Sequence, residues 1–242
     1  MIKAALNGGR TRAEHPGIPI TPVEVAAAAK ESVAAGAEAI HFHVRAANGR
    51  ESLDPQDVAR ALAAMRSAVP GTPAGVSTGA WILQNAQLRQ ETISRWTVLP
   101  DFASVNFREE GALALAELLL SRGVPVEAGL SDVSGTQVFV SSGLASRCLR
   151  MLLEPFESSA PTALKNLEQI EAMLDAAGVK LPRTLHGLNH TAWDLIDAAA
   201  ARGYDTRVGL EDILTLPDGT SAPGNGALVA ETLRRMRRSP VR

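Results

Sequence analysis

The stretch "TPVEVAAAAKESVAAGAEAIHFHVR", residues 21–45, contains the signals of one helix and one strand joined by a glycine. Thr21, Pro22 and Glu24 stand where a helix N-cap, its first residue and its third residue would stand, which is a capping box. An alanine-rich helix follows and should end near Gly36. The apolar run 39–44 then predicts a strand. Local signals therefore define one complete helix–strand unit.

The same alternation continues along the whole chain. Apolar or β-branched runs predict eight strands, over residues 3–7, 39–44, 74–77, 102–106, 124–129, 148–153, 184–188 and 206–210. Helical signals separate these runs: "DPQD" at 54–57 repeats the capping pattern, and "TAWD" at 191–194 is a looser version. Residues 163–177 carry leucines at core spacing before Gly178, which predicts a further helix.

Strands that alternate strictly with helices pair in parallel, because a parallel connection needs a crossover of about a dozen residues or more. Eight such units in 242 residues predict an α/β fold, a TIM (β/α)8 barrel. A doubly wound open sheet is the competing architecture. No long stretch has the composition of a linker, so we expect a single domain over residues 1–242.

Composition excludes several classes of protein. The chain has 45% hydrophobic and 21% charged residues with a formal net charge of -2, which gives no polycation signature for nucleic acid. No window reaches the roughly 18 apolar residues of a membrane span. Its single cysteine, Cys148, permits no internal disulfide, and we expect it in the core. A cytoplasmic protein is the expectation that follows.

Two histidines in the second predicted strand invite a chemical interpretation. Residues two apart on a strand point to the same face, so His41 and His43 project together. In a barrel, the carboxyl end of a strand is where active sites form. The pair could be hydrogen-bonded core histidines, or two nitrogen ligands for one metal ion such as Zn²⁺.

The stretch "TRVGLED", residues 206–212, offers a third ligand at the end of the last predicted strand. Strand parity puts Arg207 and Glu211 on the same side, where both can reach the barrel mouth. The alternative is a strand-terminal salt bridge followed by a helix that Asp212 caps. Two histidines and one carboxylate would leave a metal an open coordination position, as catalytic sites require.

The motifs "TPxE", "GAxxIHxHxR", "STG" and "RVGLED" occur in this order along the chain, which in this respect resembles the β-keto acid cleavage enzymes over essentially its whole length. The resemblance implies one Zn²⁺ per chain, held by His41, His43 and Glu211. It implies an acyltransferase that condenses a β-keto acid with acetyl-CoA, its co-substrate, and cleaves the product to acetoacetate and a new acyl-CoA. It also implies a homo-oligomer, a dimer or a tetramer.

The resemblance implies roles for further residues. Ser77 of "STG" would hold the substrate carboxylate, and Asp212 would be the base with Arg207 as its partner. Glu127, in the fifth predicted strand, would support that pair from behind or else lie exposed at an edge. Ser104 and Asn106 are candidates for a second contact to the substrate carboxylate. Trp81, after "STGA", could line the pocket or serve packing alone.

The stretch after the first strand departs from the family pattern. The described family member has an acidic residue there that meets a substrate amino group, whereas this chain has Arg10 and Arg12, with Glu14 out of register. We therefore expect a substrate without an amino group, with Arg10 able to bind a second carboxylate. The alternative is that Arg10 is solvated on a loop. His186 is a candidate polar group of the pocket, and His190 is expected at the surface.

Two other functions remain open at this point. One is a metal-dependent aldolase or lyase that acts through an enolate without CoA, and dependence of turnover on acetyl-CoA would distinguish it. The other is a noncatalytic metal-binding or ligand-sensing barrel, which would tolerate Asp212→Asn.

Overall fold

Eight parallel strands close into a barrel in the computed structural model, which describes residues 1–238. Each strand is hydrogen-bonded to its neighbours in sequence, and the eighth pairs with the first. The strands are β1 Ile2–Ala5, β2 Ala39–Phe42, β3 Ala74–Ser77, β4 Phe102–Asn106, β5 Val126–Leu130, β6 Arg150–Leu153, β7 Arg183–Leu185 and β8 Asp205–Val208. The TIM-barrel prediction is confirmed, and the open sheet is excluded. Residues 239–242 of the predicted domain lie outside the described part.

A helix follows each strand. The helices are α1 Pro22–Ala34, α2 Pro55–Ala68, α3 Ala86–Ser94, α4 Ala112–Ser121, α5 Val133–Ser141, α6 Ala160–Ala176, α7 Ala192–Arg202 and α8 Asn225–Arg238. The predicted capping box of α1 is present: the Thr21 side chain accepts from the Glu24 backbone N–H, and the Glu24 carboxylate accepts from the Thr21 backbone N–H. Asp54 caps α2 by accepting from Gln56 N–H. No helix among residues 1–238 is both long and apolar enough to cross a membrane.

Six of the eight strands are shorter than the runs that predicted them, whereas β3 and β4 match their runs residue for residue. Runs 3–7 and 206–210 extend past the ends of β1 and β8, yet Leu6 and Leu210 are fully buried. The apolar pattern reports burial, whereas the strand ends where the chain leaves the ladder to form the barrel mouth. The run 148–153 also begins too early, because the 3-10 turn Ala145–Arg147 precedes β6. Cys148 is buried in the core as predicted.

Two helix starts differ from the predictions. Helix α6 begins at Ala160, three residues earlier than expected, because the Ser159 hydroxyl accepts from Thr162 N–H and caps it. "TAWD" does not form a capping box. The Thr191 hydroxyl instead donates to the Leu188 carbonyl and accepts from Leu188 N–H, within the 3-10 turn Asn189–Thr191.

The barrel interior is polar beneath its mouth. The Lys3 ammonium of β1 donates to the Glu127 carboxylate of β5, and both side chains are completely buried. Arg150 of β6 approaches the same carboxylate, with 3.5 Å between Nε and Oε1. The apolar core lies mainly between the barrel and its helices, where Leu62, Ile170 and many similar side chains are buried. The interior is therefore shaped by charge pairing as well as by packing.

Candidate active site

A cavity of about 630 Å³ opens at the carboxyl ends of the strands. Its walls come from residues at or after the ends of seven strands, β5 being the exception among the eight described. This is the face on which barrel enzymes carry their active sites. The cavity contains His41, His43 and Glu211 together, as the sequence predicted.

These three side chains form a cluster that could hold a metal ion. One ligand atom from each lies within 4.8 Å of the others. The distance is 3.7 Å from His41 Nε2 to Glu211 Oε2 and 3.4 Å from His43 Nε2 to Glu211 Oε1. Burial favours the neutral Glu211 carboxyl, but Arg207 and the two histidines outweigh it and hold the pKa of Glu211 well below its usual range.

The donor set fits a divalent cation. Glu211 Oε2 is buried and has no hydrogen-bond partner, and 3.7 Å is too long for a bond to His41. A buried polar atom left unpaired costs about 1–3 kcal/mol. A cation between the three ligand atoms would satisfy this oxygen, and two imidazoles with one carboxylate are typical zinc ligands.

Glu51 orients His43, and the sequence analysis missed it. The Glu51 Oε1 atom lies 2.5 Å from His43 Nδ1 and 3.0 Å from Trp81 Nε1, which donates to it. The Trp81 ring stacks on the His43 ring, with 5.9 Å between the centroids. Trp81 therefore does line the pocket. The sequence does contain a signal for this contact. The Asn48–Gly49 turn reverses the chain, so that the backbone of Glu51 forms an antiparallel β-bridge with Arg45, two residues after His43.

Arg207 and Asp212 form a buried ion pair. Arg207 Nη2 is 2.7 Å from Asp212 Oδ1 and 2.5 Å from Glu211 Oε1, and Arg207 Nε donates to Asp212 at 3.2 Å. Burial raises the pKa of Asp212 to about 6 despite the opposing effect of Arg207. Arg207 lines the cavity, but Asp212 is 0% exposed and does not. The predicted pairing is present, and the predicted base is enclosed behind its partner.

Glu127 lies lower in the barrel than the sequence analysis supposed. Its carboxylate is bound by Lys3 and approached by Arg150, and it is fully buried, which excludes the edge-exposed alternative. Its described contacts include neither Arg207 nor Asp212. Any influence on that pair is therefore electrostatic.

Ser77, Ser104 and Asn106 all line the cavity. The Ser77 hydroxyl accepts from Gly79 N–H at 3.3 Å. The Asn106 amide donates to Glu109 at 2.8 Å, which fixes its orientation. The structure thus places the three predicted carboxylate contacts on the β3 and β4 side of the mouth.

Arg10 does not line the cavity. Its guanidinium donates to the Glu211 carbonyl at 2.9 Å, to Asn189 Oδ1 at 2.6 Å and to Glu14 Oε1 at 3.2 Å. All of its nitrogens are used within the loops, so the guanidinium braces the peptide that carries Glu211. The predicted contact between Arg10 and a second substrate carboxylate is not formed by this arrangement.

The seventh strand supplies one pocket residue and one surface residue, as expected. His186 is buried in the cavity wall, and His190 is exposed. Glu154, at the end of β6, also lines the cavity and was missed. Glu154 is a charged residue that directly follows the apolar residues "MLL" of a predicted strand. The same feature led to the prediction of Glu211.

Comparisons with known proteins identify a family. The sequence model of the family described as beta-keto acid cleavage enzyme matches residues 1–240. A 3-keto-5-aminohexanoate cleavage enzyme of Fusobacterium nucleatum is 25% identical over 259 residues, which is 97% of this chain and 90% of that protein. A 3-oxoadipate:acetyl-CoA acetyltransferase of Cupriavidus necator is 25% identical over 262 residues, 96% of this chain and 86% of that protein.

Solved structures share the fold at lower identity. The ternary complex of ObcA with a C4-CoA adduct and oxalate superimposes with a TM-score of 0.73 at 18% identity. The match covers 92% of this chain and 64% of the ObcA chain, so this chain spans less than two thirds of that protein. Apo ObcA gives a TM-score of 0.69 at 17% identity, with 93% and 63% coverage.

Proposed function

Because the chain belongs to the β-keto acid cleavage enzyme family, we propose that it condenses a β-keto acid with acetyl-CoA and cleaves the adduct to acetoacetate and a new acyl-CoA. The observation that carries this proposal is the cluster of His41, His43 and Glu211 in the wall of the cavity. The relative from Cupriavidus necator, named for an acetyl-CoA acetyltransferase activity, supports the same reaction class.

The three ligands would hold one Zn²⁺ per chain. When bound, this ion supplies a Lewis acid that polarises the ketone of a β-keto acid and eases loss of the adjacent proton. Glu51 would keep His43 in the tautomer whose Nε2 is free, because it accepts from Nδ1–H. His41 is uncharged, since burial holds the pKa of its ring well below the usual range.

The chain's own residues would bind and orient the substrate. The Ser77 hydroxyl would donate to the substrate carboxylate, with Ser104 and Asn106 beside it on β4. Asp212 is proposed as the base, with Arg207 as its partner. Asp212 is enclosed and does not line the cavity. Its neighbours Arg207 and His186 do line the cavity, so one of them has to make the contact with the substrate.

The range of substrates is open to direct test. Arg10 was one of two reasons to expect a substrate without an amino group, and its guanidinium is occupied by loop atoms outside the cavity wall. The missing acidic residue after the first strand still supports a substrate without an amino group, and kcat/KM values for an amino-bearing, a neutral and a dicarboxylic β-keto acid test this expectation.

The deciding experiment measures zinc content and product together. Purified wild type and His41→Ala are analysed for bound metal, and each is incubated with acetyl-CoA and the three β-keto acids while acetoacetate is quantified. We expect one zinc per chain and acetoacetate for the wild type, with both lost in the variant. Zinc without acetoacetate, together with substrate cleavage that needs no acetyl-CoA, would replace the proposal with a lyase. Light scattering on the same sample would test the expected dimer or tetramer.

A further inference from the structure

We propose that Arg108 binds an anionic group at the far end of the substrate, so that the preferred substrate is a β-keto acid with a second, terminal carboxylate. This inference rests on the proposed function, because it names the class of β-keto acid that the same cavity takes. Arg108 belongs to the stretch "VNFREE", residues 105–110, in which the chain leaves β4.

Two arginines line the cavity, and their environments differ. Arg207 is buried, and its guanidinium is held by Glu211 and Asp212. The Arg108 side chain is 51% exposed, and its Nη1 lies 3.6 Å from Asp132 Oδ2, which is too long for a hydrogen bond. Among the contacts of residues 1–238, no hydrogen bond uses a donor of the Arg108 guanidinium. Arg108 is therefore the arginine of the wall whose donors are available to a ligand.

Two neighbours hold Arg108 in place without using these donors. The guanidinium lies over the ring of Phe156, 5.9 Å from its centroid, and this exposed ring also lines the cavity. The backbone of Arg108 packs against α5, because a Cβ added to Gly135 would lie 3.1 Å from the Arg108 nitrogen. Arginine presents paired N–H groups that match the two oxygens of a carboxylate, and contact with a ring uses none of them.

Asp132 is a weak competitor for the guanidinium. It caps α5, where its Oδ1 accepts from Gly135 N–H at 2.8 Å and from the Ser134 hydroxyl at 2.7 Å. Its side chain is 35% exposed, so water screens its charge toward Arg108, and exposed ion pairs contribute little. Because the cap fixes this side chain, a carboxylate that enters the cavity can approach Arg108 more closely than Asp132 does.

The other acidic groups near the mouth do not oppose an anion beside Arg108. Glu109 turns toward the β3 side, where its carboxylate accepts from Ala80 N–H at 2.9 Å and from the Asn106 amide at 2.8 Å. Glu154, at the end of β6, adds no charge near pH 7, because burial raises the pKa of its carboxyl to about 8. In the described chain, the wall that Arg108 forms with the residues after β6 therefore carries a guanidinium and no ionised carboxylate.

The position of Arg108 suits the far end of a substrate whose ketone lies at the metal cluster. The ligands of that cluster come from β2 and from the turn after β8. Phe156, which the guanidinium covers, follows β6, four strands from β2 in either direction around the barrel. A substrate whose first carboxylate lies at Ser77 therefore extends its remaining chain across the mouth. Leu152 and Leu188 line the cavity there and offer apolar contact to its methylene groups.

The test uses pairs of β-keto acids that are identical except at the far end, which is a carboxylate in one and an amide in the other. Arg108→Gln, Arg108→Lys and Asp132→Asn are compared with the wild type. Arg147→Gln is the matched control, since it removes an arginine of similar exposure that does not line the cavity. The readouts are kcat/KM for each acid, KM for acetyl-CoA, and the Kd of each acid from calorimetry without acetyl-CoA.

We expect the wild type to prefer the acid with the terminal carboxylate. Arg108→Gln should lower kcat/KM for this acid by about 10–100-fold and for the amide by less than about 3-fold, because a charge-assisted contact is lost only with the carboxylate. The Kd values should change in the same way. Arg108→Lys should recover part of the loss, since an ammonium cannot form the paired contact. Arg147→Gln should match the wild type.

Asp132→Asn gives a change of opposite sign. Asparagine caps a helix as well as aspartate does, so α5 should remain folded while the charge that competes for Arg108 is removed. The kcat/KM for the acid with the terminal carboxylate should rise by about 2–5-fold, and this gain should be absent when Arg108→Gln is also present.

Two results would overturn the inference. One is a carboxylate-to-amide ratio of kcat/KM and of Kd that is the same, within about 3-fold, in the wild type and in Arg108→Gln. The other is an Arg108→Gln protein in which the KM for acetyl-CoA rises equally with both acids while that ratio is kept, which would assign the guanidinium to a phosphate of the co-substrate. A wild type that binds both acids but forms no acetoacetate would instead refute the proposed function, and the ratio of Kd values would still test Arg108.

Discussion

Substituting Gly8 tests the candidate metal site without replacing any of its ligands. Gly8 follows β1 with φ +53°, and a Cβ added there would lie 2.4 Å from Glu211 Cγ. Ordinary contact begins near 3.4 Å, so in Gly8→Ala the Glu211 side chain has to move by at least about 1 Å. The Glu211 backbone has little freedom to move with the side chain, because the Glu211 N–H donates to the Ala5 carbonyl at 3.2 Å and the Glu211 carbonyl accepts from Arg10 Nε.

The expected effect has two separable parts. A residue other than glycine in the left-handed region costs about 1–2 kcal/mol of folding free energy. A ligand displaced by more than the roughly 0.5 Å that a site tolerates should weaken binding further, and we expect the Kd for Zn²⁺ to rise at least about 100-fold, or about 2.8 kcal/mol. Gly178→Ala is the matched control, since Gly178 has φ +68° and no heavy atom within 4 Å of an added Cβ.

The assay combines urea unfolding of the metal-free proteins with zinc titration against a competing chelator. Gly8→Ala and Gly178→Ala should both lose stability, but only Gly8→Ala should lose zinc affinity. If both variants bind zinc with a Kd within about 3-fold of the wild type, Glu211 is not a ligand in the arrangement described here, or the site accepts a 1 Å displacement.

Three further predictions test other parts of the molecule. Lys3→Met should cost about 3–5 kcal/mol in urea unfolding, because it leaves the buried Glu127 carboxylate with only the Arg150 guanidinium, 3.5 Å away, as a partner. A double variant that also replaces Glu127 with leucine should recover most of this loss, and a single-variant loss below about 1 kcal/mol would contradict the pairing. Hydrogen bonds from Thr21 and other groups lower the pKa of Glu24 to about 2 from 4.5, so its contribution to stability is present above pH 4.5 and declines as the pH falls toward 2. The difference in unfolding free energy between wild type and Glu24→Gln should therefore be constant above about pH 5.5 and shrink below 4.5, and a difference that grows with acidity would refute the assignment. Arg10→Ala should leave the kcat/KM ratio of dicarboxylic to neutral β-keto acids within about 3-fold, whereas a selective loss for the dicarboxylic acid would return Arg10 to the cavity.

The barrel could be predicted because each unit carries its own local signals. Capping residues, glycines at helix ends and apolar runs act over a few residues, and their eightfold alternation leaves few topologies. The strand ends could not be predicted in the same way. Leu6 and Leu210 are buried beyond the last paired residues of β1 and β8, so hydrophobicity continues where hydrogen bonding has stopped.

Strand parity predicts the position of a site residue that lies on or directly after a strand. It does not predict the position of a residue that lies on a loop. His41, His43 and Glu211 follow from parity at strand ends, which the barrel brings together. The place of Arg10 depends on a loop held by Arg45, whose guanidinium donates to the Gly8 and Arg10 carbonyls. No spacing rule predicts such a contact, so the family pattern could place Arg10 after β1 but could not predict that loop atoms bind its guanidinium. Glu154 directly follows the predicted strand 148–153, so strand-end position indicates it as well.

The charges inside the barrel indicate how many anionic groups of a substrate the cavity can bind. Beneath the mouth, three cationic groups face three carboxylates: Lys3, Arg150 and Arg207, with Glu127, Glu211 and Asp212. Protonated Glu154 adds no charge, and His43, whose pKa is raised to about 9 by Glu211 and Glu51 against the effect of burial, balances Glu51. A divalent cation that displaces the His43 proton adds a net charge of one, which one substrate carboxylate neutralises. Charge balance thus favours one carboxylate held near β3 by hydroxyl groups, and a second carboxylate would need a further cation, for which Arg108 of the cavity wall, with its Nη1 3.6 Å from Asp132 Oδ2, is the candidate.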